Sequence, residues 1–208
     1  MEYSTLPLLR NRTLPIAAFR AAARPIIHDL VVELHRHLSK IGVQENDVVF
    51  VIILRAGLAF LDATLQQFPT SMIACAGLRR DEVTAEAQWY YQNFPLLSER
   101  NTAVILDPML ATGGSAIAVA EELCHRGVLP HHIHFVGLLG APEGVATLST
   151  MIPSRHILLA HIDECLDSKK FIVPGLGDFG DRYFGYTPMH GNGSPVLQTL
   201  HRRESLHR

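Results

Sequence analysis

From Val48 to Leu54 the chain reads VVFVIIL, seven apolar residues in a row between Asp47 and Arg55. A run this short, rich in β-branched residues and without polar alternation, predicts a strand buried on both faces, over residues 47–54. Upstream the spacing changes. Apolar positions in residues 16–38 recur every three to four residues and predict a helix, with Pro25 as a kink or break. Downstream the two patterns alternate: helix 57–68, strand 71–78, strand 103–107, helix 115–126, strand 134–139, short helix 143–150, strand 156–161. Such alternation predicts the α/β class, a parallel sheet covered by helices. Residues 79–100 are polar and aromatic, with Trp89-Tyr90-Tyr91 adjacent, and suit a β-hairpin flap. Residues 171–186 are rich in Pro, Gly and aromatics and suit an irregular hood. The tail from His190 turns basic. The chain is expected to be a single domain over 1–208, with an N-terminal helical part (1–46), the flap (79–100), a hood (166–188) and a tail (189–208).

Open parallel sheets bind ligands at the carboxyl ends of their strands. Arg55, Arg79-Arg80 and Asp107 all fall at or just past predicted strand ends, which places three charged features on one rim. The stretch VILDPMLATGGS, Val104 to Ser115, is the richest in chemistry. It reads as strand, acidic tip, glycine turn and helix start. Backbone N–H groups at such a turn, together with the positive end of a helix dipole, cradle a phosphate dianion. Asp107 would repel that phosphate, so it suits sugar hydroxyls or a metal ion. No lysine follows Gly113-Gly114, so this is no Walker A loop. The plainer alternative is an ordinary turn in which the glycines and Ser115 cap a helix. Arg55, in an apolar context, needs an anionic ligand or a rim carboxylate. Ala56 and Gly57 let backbone amides approach a ligand, and a strained or cis non-proline peptide is expected near them.

Composition narrows the function classes. The chain has 208 residues, 48% of them hydrophobic, with 18 Lys and Arg against 20 Asp and Glu. A charge near zero calls for neither nucleic acid nor an anionic membrane as partner. Trp89-Tyr90-Tyr91 therefore suits flap packing or a subunit contact rather than base stacking. Three widely spaced cysteines, Cys75, Cys124 and Cys165, suit reduced thiols and a cytoplasmic setting. Met1-Glu2-Tyr3 has neither the basic start nor the apolar stretch of a secretion signal, and Arg55 breaks the longest apolar run. His131, His132 and His134 have no cysteine or carboxylate cluster to complete a metal set, so they read as a solvated turn. Gly175-Leu176-Gly177-Asp178-Phe179-Gly180 fits the dinucleotide fingerprint G-x-G-x-x-G. Pro174 interrupts the strand-to-glycine junction, and Arg182-Tyr183-Phe184-Gly185 makes a poor helix start, so that reading is rejected.

Asp107 to Ser115, DPMLATGGS, resembles the phosphoribosyl diphosphate loop of the uracil phosphoribosyltransferases, which carry Asp-Pro where other phosphoribosyltransferases carry two acids. Ile53-Leu54-Arg55-Ala56-Gly57-Leu58, Ala141-Pro142-Glu143-Gly144 and Val173-Pro174-Gly175-Leu176-Gly177-Asp178 resemble the same family in the same order. The similarity spans about residues 48–188, and residues 6–20 match the family's N-terminal part. The resemblance implies a type I phosphoribosyltransferase fold with a β-flap and a C-terminal hood that binds the base. It implies transfer of the phosphoribosyl group of 5-phospho-α-D-ribose 1-diphosphate (PRPP) to uracil, giving UMP and diphosphate. It assigns PRPP to Arg55, Arg80, Asp107, Pro108, Met109, Leu110, Ala111, Thr112, Gly113, Gly114, Ser115 and Asp178. It assigns uracil to Ile172, Gly177, Asp178 and Phe179, read largely through the main chain. Arg55, Arg80, Asp107 and Asp178 are the implied catalytic residues, with Asp178 orienting or desolvating N1 of the base. Mg²⁺ is implied on diphosphate and water, with no direct protein ligand. A homodimer or higher homo-oligomer and a GTP response are further implications. The alternatives are a non-catalytic regulator sensing UMP or PRPP, and a purine or orotate transferase. Two departures stand out. Residues 25–49 are shorter than in the family and lack its Tyr-Glu-Ala-Thr-like motif, and Phe179 replaces a common Ala.

Overall fold

The computed structural model describes residues 3–80 and 87–186. A short helix α1 (Leu6–Arg10) precedes the long α2 (Ile16–Lys40). The sheet then begins with β1 (Val48–Leu54), followed by a 3₁₀ turn (Ala56–Phe60), α3 (Leu61–Gln67), β2 (Met72–Arg80) and β3 (Ala87–Asn93). Next come β4 (Thr102–Leu106), β5 (Met109–Leu110), α4 (Gly114–His125), β6 (Ile133–Gly140), α5 (Pro142–Leu148) and β7 (Ile157–Ile162). The described chain closes with a two-residue ribbon, β8 (Cys165–Leu166) and β9 (Ile172–Val173), and α6 (Phe179–Phe184).

β1 occupies the middle of the sheet, parallel to β2 on one side and to β4 on the other. β6 lies beside β4 and β7 beside β6, both parallel, so five strands end on the same edge. Among the described strands of this sheet, β3 alone runs antiparallel, against β2, and it supplies the return strand of the flap. β4 and β5 are one strand interrupted at Asp107-Pro108. Leu106 pairs Val136 and Met109 pairs Leu139, a constant offset along β6. Within the break, the Pro108 carbonyl accepts both Leu138 N–H and Leu139 N–H, each at 3.0 Å.

Alternate residues of β1 feed two cores. Val48, Phe50 and Ile52 pack under α1, α2 and α6, whereas Val49, Val51 and Ile53 pack under α4. The apolar run is therefore two-sided, as a helix-covered parallel strand requires. α2 runs through Pro25 without a break. Its stripe Phe19, Ala22, Ala23, Ile26, Ile27, Leu30, Val31, Leu34 and Leu38 is buried, and that packing offsets the lost N–H. The expected helix over 57–68 is a 3₁₀ turn leading into a shorter α-helix.

Two readings are corrected. Residues 171–186 are not an irregular hood, because β9 pairs with β8 and α6 follows. α6 forms where a poor helix start was expected because Asp178 caps it, its carboxylate accepting Asp181 N–H at 2.7 Å. The dinucleotide reading still fails, since β9 lies outside the central sheet. His134 is not part of a solvated turn. It is buried in β6 with its ring stacked on that of His156 at 4.1 Å, while His131 stays exposed in the preceding turn.

Candidate active site

A cavity of about 320 Å³ opens at the carboxyl edge of the sheet. Asp107, Met109, Ala111 and Ser115 form one wall, from the β4–α4 connection. Ile172, Gly177, Asp178 and Phe179 form the other, from β9 and the start of α6. Two sequence stretches some sixty residues apart are thus brought to one cavity by the β6–α5–β7 crossover between them. Arg12, Ala56, Lys170, Phe171 and Gly180 also line it.

Each wall follows from local chemistry. Gly113 is the N-cap of α4 with φ +84°, and a Cβ there would sit 3.0 Å from the Gly144 carbonyl, so only glycine closes this turn without strain. Gly114 differs. A Cβ on it would meet only Thr112 Oγ1, at 3.7 Å, so the fold leaves that space open toward the cavity lip. Pro108 and Leu110 are buried, with Leu110 packed into the α4 core, so only their backbones can reach a ligand. On the opposite wall, the ring of Phe179 is buried in the core, 5.4 Å from that of Phe19 and stacked on Tyr183. The substitution of a large residue at this position therefore leaves the pocket open.

Asp107 is half-buried in the cavity wall and, among the described residues, accepts one long hydrogen bond (3.4 Å) from Met109 N–H. Burial, reinforced by the negative charge of Asp178 and partly opposed by that N–H, pushes its pKa up to about 7. A carboxylate this poorly solvated gains most from donors that a ligand brings, such as a pair of hydroxyls. Asp178 commits one oxygen to capping α6.

Arg55 lies outside the cavity wall. Its guanidinium pairs with Asp181 at 3.1 Å and sits 4.4 Å over the ring of Tyr186. The Leu54–Arg55 peptide is cis, as expected near this small-residue turn. Arg80 ends β2, and its side chain lies outside the described residues, as do residues 81–86 of the flap. Thr112, Gly113 and Gly114 border the cavity without lining it. Sequence reasoning missed Arg12 and Lys170, which bring positive charge to the cavity. Arg12 lies on the segment 6–20 that had been singled out only for its similarity. Lys170 carries φ +67°, which no local pattern announced.

Comparison with known proteins now decides the family. The uracil phosphoribosyltransferase family model matches residues 4–186. The chain belongs to the uracil phosphoribosyltransferase family. It is 40% identical over 188 residues to the uracil phosphoribosyltransferase of Legionella pneumophila (strain Lens), covering 88% of this chain and 87% of that one. It is 37% identical over 204 residues to that of Synechococcus elongatus, covering 86% and 94%. The solved AQ2163 protein of Aquifex aeolicus superposes with a TM-score of 0.77 at 30% identity, covering 89% and 94%. An APRTase from Giardia lamblia, solved with 9-deazaadenine, shares the fold alone, with a TM-score of 0.54 at 15% identity over 69% and 81%.

Proposed function

We propose that this chain transfers the phosphoribosyl group of PRPP to N1 of uracil, giving UMP and diphosphate. The observation that carries the reading is the single cavity into which the Asp107–Ser115 turn and the Ile172–Phe179 turn both face, in a chain of this family. The backbone amides at 111–115, at the positive end of α4, take the 5-phosphate. Asp107 accepts the ribose hydroxyls. The main chain of Ile172, Gly177 and Phe179 reads the edge of the flat base, so cytosine, with donor and acceptor exchanged at C4 and N3, leaves buried groups unpaired. Asp178, in the wall from β9 and the start of α6, orients N1.

In the reaction the C1′–oxygen bond to diphosphate breaks as the bond to N1 forms, and N1 loses its proton. Positive charge develops on the sugar and negative charge on the departing diphosphate. Catalysis then rests on holding the partners in line and stabilising those charges, not on a covalent nucleophile. Arg55 and Arg80 are the cations for the diphosphate. Among the described residues no three His, Cys, Asp or Glu side chains converge as a metal-ligand set. Mg²⁺ would be held mainly by diphosphate oxygens and water, with Asp107 the nearest cavity carboxylate, and would supply neutralisation of leaving-group charge. None of the described helices is long and apolar enough to cross a membrane.

The test is UMP formation from labelled uracil, PRPP and Mg²⁺, with cytosine, hypoxanthine and orotate as competitors. Turnover of uracil alone is expected, falling at least 100-fold in Asp107→Ala. Turnover of another base would replace the substrate, and PRPP binding without turnover would leave a regulator.

A further inference from the structure

The turn that forms the base side of the cavity is held from outside by residues that do not line it. Asp163, just past β7, has a side chain 1% exposed. Its Oδ1 accepts Arg10 Nη2 at 2.6 Å, and its Oδ2 accepts both Arg10 Nη1 and Gly175 N–H at 2.8 Å. Arg10 Nη1 also donates to the Gly175 carbonyl at 2.9 Å. The ion pair therefore grips both polar groups of one residue, Gly175. That glycine adopts φ +61°, and a Cβ on it would sit 2.1 Å from the Ile172 carbonyl. Its neighbours on either side, Ile172, Leu176, Gly177 and Asp178, all line the cavity.

A second set of bonds holds the same junction. Arg182 of α6 donates to the carbonyls of Leu9, Leu176 and Asn11, the last at 2.6 Å. The segment 9–12 is thereby fixed against the base turn, and the Arg12 guanidinium lies along Gly177. Burial alone would raise the Asp163 pKa. Arg10 and the Gly175 N–H outweigh it and hold the carboxyl below the usual carboxylate range.

We infer that Arg10 and Asp163 are positioning residues for the base: their bidentate pair sets the Gly175 peptide, and through it the main-chain groups that read uracil. The inference rests on the reading of this cavity as a uracil site. Main-chain recognition needs such a device, because a backbone amide has no rotamers with which to follow its partner. A bidentate guanidinium–carboxylate pair fixes direction as well as distance, and lysine cannot reproduce that geometry. PRPP, held by the 107–115 turn, should not sense the pair.

The experiment is steady-state kinetics of the full chain with Mg²⁺, comparing Arg10→Lys, Arg10→Ala and Asp163→Asn with the unmodified protein. Arg10→Lys keeps the charge and is the variant chosen to keep the fold. Thermal melting and active-site titration count the folded molecules. The expected result is a KM for uracil raised about tenfold in Arg10→Ala and by less in Arg10→Lys. The KM for PRPP should stay within twofold, and discrimination against cytosine should fall. Amide hydrogen exchange at residues 175–179 should speed up in both Arg10 variants. A uracil KM unchanged in folded Arg10→Lys and Arg10→Ala overturns the inference, as does an equal rise in both KM values. Absence of uracil turnover in the unmodified chain overturns the functional reading, and this role with it.

Discussion

Asp107 shows how one residue carries opposite demands. In the proposed function its ionised form is the acceptor for the sugar hydroxyls. Yet burial raises its pKa to about 7, so below that pH the folded state prefers it protonated. The folded pKa lies above the unfolded one, so stability falls as pH rises from about 4 to 7 and is flat beyond. Asp107→Asn removes that loss. It is expected to raise stability on the order of 2–4 kcal/mol at pH 8 and by nothing below pH 4, read from denaturant midpoints, while activity is lost. Sugar binding favours the ionised form, so PRPP should release a fraction of a proton near pH 7. Calorimetry in buffers of different ionisation enthalpy would detect it, and an absent release would deny the carboxylate this role. Gly113 and Gly114 separate fold from ligand in the same way. Gly113→Ala should destabilise by about 1–3 kcal/mol through its positive φ. Gly114→Ala should leave melting unchanged and raise the KM for PRPP, because only the ligand occupies that space.

At the scale of elements, α2 meets the sheet through a buried histidine contact at the edge opposite the cavity. His134 and His156 stack, and His37 of α2 meets His134 with rings 5.6 Å apart. Burial, then the neighbouring His156, His37, His132 and Arg155, lowers the His134 pKa to about 3. Here the sign reverses. The unfolded histidine takes up its proton near pH 6.5 and the folded one does not, so stability is full above 6.5 and falls as pH drops below it. The loss from pH 7 to 5 is expected on the order of 1–2 kcal/mol, and His134→Gln should flatten it in denaturant titrations. The same scale explains α6. Six residues make a weak helix alone, and its formation depends on the Asp178 cap, on Gly185 in the left-handed region at its end and on Phe179 in the core.

Across the whole molecule, the pair between Arg55 and Asp181 joins the end of β1 to the far wall of the cavity. In the proposed function Arg55 is a diphosphate contact, so the pair must open when PRPP binds. The pair is half-exposed and worth about 0.2–1 kcal/mol. Asp181→Asn should therefore tighten PRPP two- to fivefold, checked by calorimetric titration. Weaker binding would show that Asp181 aids the site rather than competing with it.

Periodicity was enough for the architecture, because a strand covered on both faces and a helix covered on one impose different spacings on any sequence. The strands, the helices over α2 and α4, and the rim at Arg55 and Asp107 were legible for that reason. The turn from Asp107 to Ser115 was legible too, since it is continuous along the chain and its glycines announce their own geometry. The hood was not. Its helix depends on a cap and a core contact, and Pro, Gly and aromatic content alone reads as irregular. The break allowed for at Pro25 did not occur, because a local penalty was outweighed by burial along the whole of α2. Arg10 and Arg12 showed only as part of a stretch similar to the family, and Asp163 carried no signal, because the meaning of the Arg10–Asp163 pair lies in partners up to 165 residues away. The sequence by itself determined which elements form and what chemistry the rim carries. Only the tertiary structure decided which distant side chains share the cavity, because contacts between distant segments are set by packing and leave no period in the chain.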